Sequence, residues 1–159
     1  MKTIDKIEAE FKIKKTKIIT KVKLPNIVDP VDLILDTGAS MTTISPKLFK
    51  RLNTEPKDKS PIKIIGINSI ENSYSTLIPE FTIGRINLGE VRIAVGTMRD
   101  EFQNKVILGM NILGWFNINI SMNSKIITLS PRFAGNPKHL RNFFKYKNPD
   151  VNLIMNETE

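Results

Sequence analysis

The sequence has no cysteine and a single histidine, His139. Neither a disulfide framework nor a thiolate metal site can be built from it, and the lack of thiols suits a reducing compartment. With one imidazole, a Ser-His-Asp or Cys-His nucleophile system is not expected, and a His-rich metal site is excluded. His139 lies among basic residues and reads as a solvated surface side chain. Long hydrophobic runs are missing as well. No stretch approaches the roughly twenty apolar residues of a membrane span. Met1 to Lys15 is charged throughout and lacks the apolar core of a signal peptide. The expectation is a soluble, cytoplasmic protein with no membrane partner.

Acidic residues are in the minority, 16 against 24 lysines and arginines, which leaves a net charge of +8. Lys12, Lys14, Lys15, Lys17, Lys21 and Lys23 crowd the N-terminal segment, and Arg132, Lys138, Arg141, Lys145 and Lys147 the C-terminal one. Such runs can attract nucleic acid or acidic partners. Here they read as solvated faces, and a nucleic-acid partner is not expected.

A chain of 159 residues with 40% apolar content suits one domain with a real core. Its pattern is one of short strands separated by turn signals, an all-β barrel or sandwich. Strands are expected at Lys17 to Leu24, Val31 to Leu35, Thr42 to Ile44, Val91 to Val95 and Val106 to Leu108. Ile62 to Ile67 and Tyr74 to Ile83 should form a long hairpin, and Asn117 to Met122 with Lys125 to Leu129 another. Ser45-Pro46 is a helix start, with serine as cap and proline in the first turn, followed by the inward-facing Leu48, Phe49 and Leu52. Met110 to Phe116 suits a second short helix, and Thr54 to Ser60 a polar loop. The domain is expected to span 1–131 and a basic tail 132–159, in which Pro137 to Tyr146 carries Leu140, Phe143 and Phe144 on one face.

The motif that bears chemistry is Asp36-Thr37-Gly38, preceded by Leu33-Ile34-Leu35 and followed by Ala39-Ser40. It puts a carboxylate at the mouth of a buried strand. Peptide hydrolysis by carboxylates needs two of them sharing one proton, because like charges about 3 Å apart cannot both ionise. The triplet occurs once, so the second aspartate should come from a second copy of the chain across a two-fold axis. Asp32 shares the strand face of Asp36 by alternation and reads as a solvent-facing strand residue rather than a second catalytic carboxylate. Val106-Ile107-Leu108-Gly109 repeats the design of Leu33-Ile34-Leu35-Asp36: a buried strand, a sharp turn and a short helix. Gly109 stands where a backbone must pass closely or turn in a way barred to other residues. Trp115 and Phe116 read as core, and Tyr74 equally as a packed strand residue or one reaching toward Asp36.

Taken in order, these segments resemble a retropepsin-like aspartic peptidase, the single-domain dimeric type, over roughly Lys17 to Leu129. The resemblance implies a closed β-barrel with a flap hairpin and one or two short helices, half of a pepsin-like bilobal fold. It implies Asp36 as the catalytic aspartate, Thr37 as the residue locking two active-site loops across a dimer, and Gly38 as the point of close substrate approach. Gly66, Ile67 and Asn68 fall at the flap, and Gly109 at the second buried turn. No metal or cofactor is implied. The substrate would be a polypeptide lying extended under the flaps, cleaved by a homodimer. A silent dimerisation or peptide-binding module is the alternative. Relatives with a hydroxyl at the place of Ala39 donate further hydrogen bonds to the carboxylates; Ala39 cannot, which implies activity at about pH 5 to 7. Viral members pair an Asp and an Arg where this chain has Ser40 and Met110, so it looks more like the cellular and bacterial relatives.

Overall fold

The computed structural model describes residues 4–62, 73–132 and 140–145. Strands dominate. They are β1 (Ile7–Glu10), β2 (Lys12–Lys14), β3 (Lys17–Lys23), β4 (Val31–Leu35), β5 (Thr43–Ile44), β6 (Lys57–Pro61), β7 (Tyr74–Ile78), β8 (Thr82–Ile83), β9 (Ile86–Asn87), β10 (Val91–Val95), β11 (Lys105–Leu108), β12 (Phe116–Ser121) and β13 (Ile126–Pro131). Three short helices join them: α1 (Pro46–Arg51), α2 (Met110–Leu113) and α3 (Leu140–Phe143). β1, β13 and β12 form a small sheet, and the other strands a long curled one in the order β6-β7-β10-β5-β11-β4-β3-β8-β9, with β2 paired to β3. The apolar faces meet in a single cluster that includes Leu33, Ile44, Leu48, Phe81, Val106 and Trp115.

Most expected elements are present. Helix α1 is capped by Ser45, whose Oγ accepts the Leu48 N–H at 3.0 Å, with Pro46 at its first position. Leu48, Phe49 and Leu52 are buried. The hairpin of β12 and β13 turns where Asn123-Ser124 signalled it. Two expectations change, and one segment gains elements that the pattern did not assign. Thr54 to Ser60 is not all loop, because Lys57–Pro61 pairs antiparallel with β7. Its side chains are mostly exposed, so the strand is held by backbone pairing and by Thr76, whose hydroxyl accepts from Lys57 N and donates to Lys57 O, both at 2.8 Å. Tyr74 to Ile83 is broken at Pro79, leaving β7 and β8 to pair with different partners. The charged N-terminal segment forms β1 and β2, and places Ile4, Ile7 and Phe11 in the core.

Within the segment assigned to the basic tail, residues 140–145 pack against the body. Leu140, Phe143 and Phe144 are buried, Phe143 stacks on Trp115 at 4.6 Å and Phe144 on Phe116 at 5.9 Å. Arg92 on β10 anchors this segment. Its N–H donates to Phe144 O at 2.8 Å and its Nε to Lys145 O at 2.7 Å. The same guanidinium bonds Ser75 Oγ and the Asp58 carboxylate.

Candidate active site

The parallel pairing of β4 with β11 sets the geometry around Asp36. Leu33 lies beside Val106, Ile34 beside Ile107 and Leu35 beside Leu108. The two halves of the internal repeat therefore run side by side, and Asp36 and Gly109 leave the sheet at one level. Asp36 N donates to Leu108 O at 3.1 Å. In the sheet order β11 lies between β4 and β5. The chain leaving β4 must then cross the end of β11 before it re-enters as β5.

That crossing explains Gly109. A Cβ there would lie 2.5 Å from the Met41 carbonyl carbon, 2.6 Å from its oxygen and 2.8 Å from Thr42 N, all backbone atoms. Its φ of −104° is open to any residue, so space rather than backbone conformation demands glycine. The crossing loop also satisfies the first N–H groups of α2, which have no partner within a helix. Met110 N donates to Ala39 O at 2.8 Å, Asn111 N to Ser40 O at 3.0 Å, and Gly109 N to Thr42 Oγ1 at 3.1 Å.

Asn111 ties these pieces together and is fully buried. Its Oδ1 accepts from Thr42 N at 2.7 Å and from Thr42 Oγ1 at 2.8 Å, and its Nδ2 donates to Arg92 O at 2.9 Å. Its carbonyl accepts the indole N–H of Trp115 at 3.0 Å. Loop, α2, β10 and the core tryptophan thus share one polar hub. Sequence reasoning missed Asn111 and Thr42; the signal that existed was a polar residue inside the apolar stretch Met110 to Phe116, expected as a helix and helical over Met110–Leu113.

Within the loop, Gly38 N donates to Asp36 Oδ1 at 2.9 Å and Ala39 N to Asp36 O at 3.2 Å. A Cβ on Gly38 would lie 3.2 Å from that same Oδ1. The carboxylate is held by one backbone donor of its own turn, and the turn is closed on the Asp36 carbonyl. Asp36 and Ala39 are half-buried, whereas Thr37, Gly38 and Ser40 are exposed. Asp36 borders a cleft of about 360 Å³. Ile18, Ile34, Leu35 and Ile107 give it apolar walls, and Lys17 and Arg99 bring cations to it. Gly66, Ile67 and Asn68 lie outside the described residues.

Asp32 is on β4 between Lys21 of β3 and Lys105 of β11 in the ladder. Its carboxylate bonds the Lys21 ammonium. Burial raises its pKa, but the Lys21 hydrogen bond and the charges of Lys21, Lys12 and Lys105 outweigh that and hold it below the ordinary 3.8. It is a paired strand residue, away from the loop. Tyr74 is also structural: it meets Phe49 edge-on at 6.1 Å, and Lys59 Nζ sits 4.4 Å from its ring centre. A larger hollow of about 530 Å³ is lined by Lys6, Glu8, Glu10 and Arg85, charges of both signs, and includes no residue of the Asp36 loop. Among the described residues no group of three or more His, Asp or Glu could hold a metal ion, and no helix is long and apolar enough to cross a membrane.

Comparison with known proteins agrees with this geometry. The family described as "gag-polyprotein putative aspartyl protease" matches residues 25–114, more than half of the chain. No curated protein matches the sequence. Among solved structures, a retropepsin-like aspartic protease from Rickettsia conorii superposes with a TM-score of 0.57 at 16% identity, over 79% of this chain and 90% of that one. EIAV protease complexed with the inhibitor HBY-793 gives a TM-score of 0.48 at 24% identity, over 63% of this chain and 88% of that one. The retroviral protease-like domain of Ddi1 from Leishmania major gives 0.48 at 11% identity, over 77% and 99%. With the family match spanning the Asp36 loop, both strands of the repeat and α2, this chain belongs to the gag-polyprotein aspartyl protease family and has the retropepsin-like, all-β fold.

Proposed function

We propose that the protein is an aspartic endopeptidase that works as a homodimer, with Asp36 of each copy forming the catalytic pair. The observation that carries this reading is one carboxylate, on a loop locked from below by Gly109, Met110 and Asn111, beside an open cleft. A single such group cannot supply both the base and the acid that amide hydrolysis requires. Two copies related by a two-fold axis supply both.

In the dimer the ionised carboxylate takes a proton from a water held between the two aspartates. The hydroxide attacks the peptide carbonyl, and the protonated carboxyl donates to the carbonyl oxygen. The tetrahedral intermediate then collapses as the amide nitrogen is protonated and leaves, so no covalent enzyme intermediate forms. Gly38 N–H, directed at Asp36 Oδ1, fixes the carboxylate's rotamer. Thr37, exposed at the crest of the loop, makes the contact with its mate, and Gly38 leaves room for the substrate backbone. The flap over an extended peptide is assigned to Gly66, Ile67 and Asn68 on the sequence resemblance.

The test is digestion of a diverse peptide pool across pH 3 to 8 by the wild-type chain, by Asp36→Asn and in the presence of a pepstatin-type inhibitor. Cuts that disappear in both controls, with a rate second order in protein at low concentration, support the reading. Activity that persists in Asp36→Asn refutes it. An inert but dimeric wild type would instead point to a peptide-binding module.

A further inference from the structure

We infer that the cleft beside Asp36 selects acidic peptides, with an apolar side chain against its walls and a carboxylate within two residues of it held by Lys17 and Arg99. The inference rests on the proposed function for its effect on cleavage, but its binding claim stands by itself.

Three observations converge. The first is composition. Among the described residues Asp36 is the one acidic residue lining the cleft, whereas Lys17 and Arg99 are both at it, next to Phe102, Ile34 and Ile107. In an extended peptide, residues two apart project to the same side about 7 Å from one another, so one apolar and one charged group can enter together.

The second is availability of the two cations. Lys17 is half-buried, with its ammonium 5.6 Å from the centre of the Phe102 ring, a placement that steers the head without neutralising it. Arg99 is close to one acid, Glu101, at 4.0 Å, and both side chains are more than half exposed. Such a long, solvated pair competes weakly with a carboxylate presented in two-point geometry.

The third is how Lys17 arrives there. Lys14 and Lys17 face each other as the last pair of the β2–β3 hairpin, and the two-residue turn between them has positive φ at both Lys15 (48°) and Thr16 (68°). Glycine and asparagine normally take such a turn. Like charges directly opposite one another also weaken a ladder. Local strain of this kind persists where surroundings over-determine it, and gathers at ligand clamps. Here the turn sets Thr16 and Lys17 at the cleft, with Lys14 paired directly opposite Lys17, on a chain already carrying +8. An acidic peptide is drawn in by these charges and eases the repulsion between Lys14 and Lys17.

The experiment uses full-length Asp36→Asn protein, which binds peptide without cutting it. Fluorescent peptides with a central Leu-Phe and either Glu or Gln at each position within two residues of it are titrated by anisotropy at low and raised salt. We expect the best Glu peptide to bind about 5- to 10-fold tighter than its Gln twin, with the advantage shrinking as salt rises. Lys17→Gln and Arg99→Gln should each remove about threefold of it, and Arg99→Lys should restore part. The same peptides are then offered to the wild-type enzyme. Equal affinity of Glu and Gln peptides, a preference that survives both substitutions, or no binding of either overturns the inference. Selective binding without cleavage upholds it while refuting the catalytic reading. Cleavage without selectivity does the reverse.

Discussion

Truncating Asn111 to alanine should destabilise the fold by about 3 to 5 kcal/mol. The side chain makes three hydrogen bonds, to Thr42 N, Thr42 Oγ1 and Arg92 O, at 2.7, 2.8 and 2.9 Å. The Thr42 hydroxyl can turn elsewhere after truncation. The Thr42 N–H and the Arg92 carbonyl cannot, since both residues are buried. Each stranded group costs about 1 to 3 kcal/mol, and the emptied volume adds to it unless a water enters. Asn111→Asp keeps the acceptor but turns a second oxygen toward the Arg92 carbonyl and buries a charge, so it should cost at least as much. The assay is urea unfolding followed by fluorescence of Trp115, the sole tryptophan. That indole is buried, stacked on Phe143 and bonded to the Asn111 carbonyl. A double-mutant cycle with Thr42→Val should show coupling of about 1 kcal/mol or more, because either change removes the same bond. A loss under about 1 kcal/mol for Asn111→Ala at unchanged urea slope, or strict additivity in the cycle, would refute the hub.

Three further outcomes can be measured. Gly109→Ala forces a methyl against the Met41 and Thr42 backbone; it should cost about 3 kcal/mol or more and weaken any Asp36-dependent activity further than stability alone explains. Ser45→Ala removes an acceptor for Leu48 N and a donor to Gln103 O, for a loss of about 1 to 2 kcal/mol in thermal or urea melts. Asp32→Asn removes a carboxylate whose folded pKa lies below its ordinary 3.8. Such a group stabilises above 3.8 and loses that contribution as pH falls through the folded value. With the Lys21 partner more than half exposed, the difference from wild type should be below about 1 kcal/mol at pH 7 and should vanish in strong acid.

The parts legible in the sequence were those written in local chemistry. Leu33-Ile34-Leu35-Asp36 and Val106-Ile107-Leu108-Gly109 announced two buried strands with sharp exits, and Ser45-Pro46 announced α1. What escaped depended on partners far along the chain. Lys57–Pro61 has a polar, exposed sequence, and only the opposing β7 makes it a strand. Ile4, Ile7 and Phe11 are core residues spaced among charges, and β13 decides their face by pairing with β1. Thr42 and Asn111 are 69 positions apart, and no periodicity links them. Gly109 was legible as a place of close approach, but what approaches it, the loop from Asp36 to Thr42, was not.

The pairing of β1 with β13 and the seating of Phe144 on Phe116 have a consequence for the order of events at the ribosome. β1 is made well before β13 and must wait for it. The centre around Trp115 stays open until residues 140–145 have emerged and Arg92 has bound their carbonyls. Contacts of such long sequence separation fold slowly. The nascent chain therefore carries its Asp36 loop without the support of Gly109, Met110 and Asn111 until β11 and α2 have been made. If the loop is catalytic as proposed, a site assembled this late is silent toward its own growing chain by the timing of its assembly.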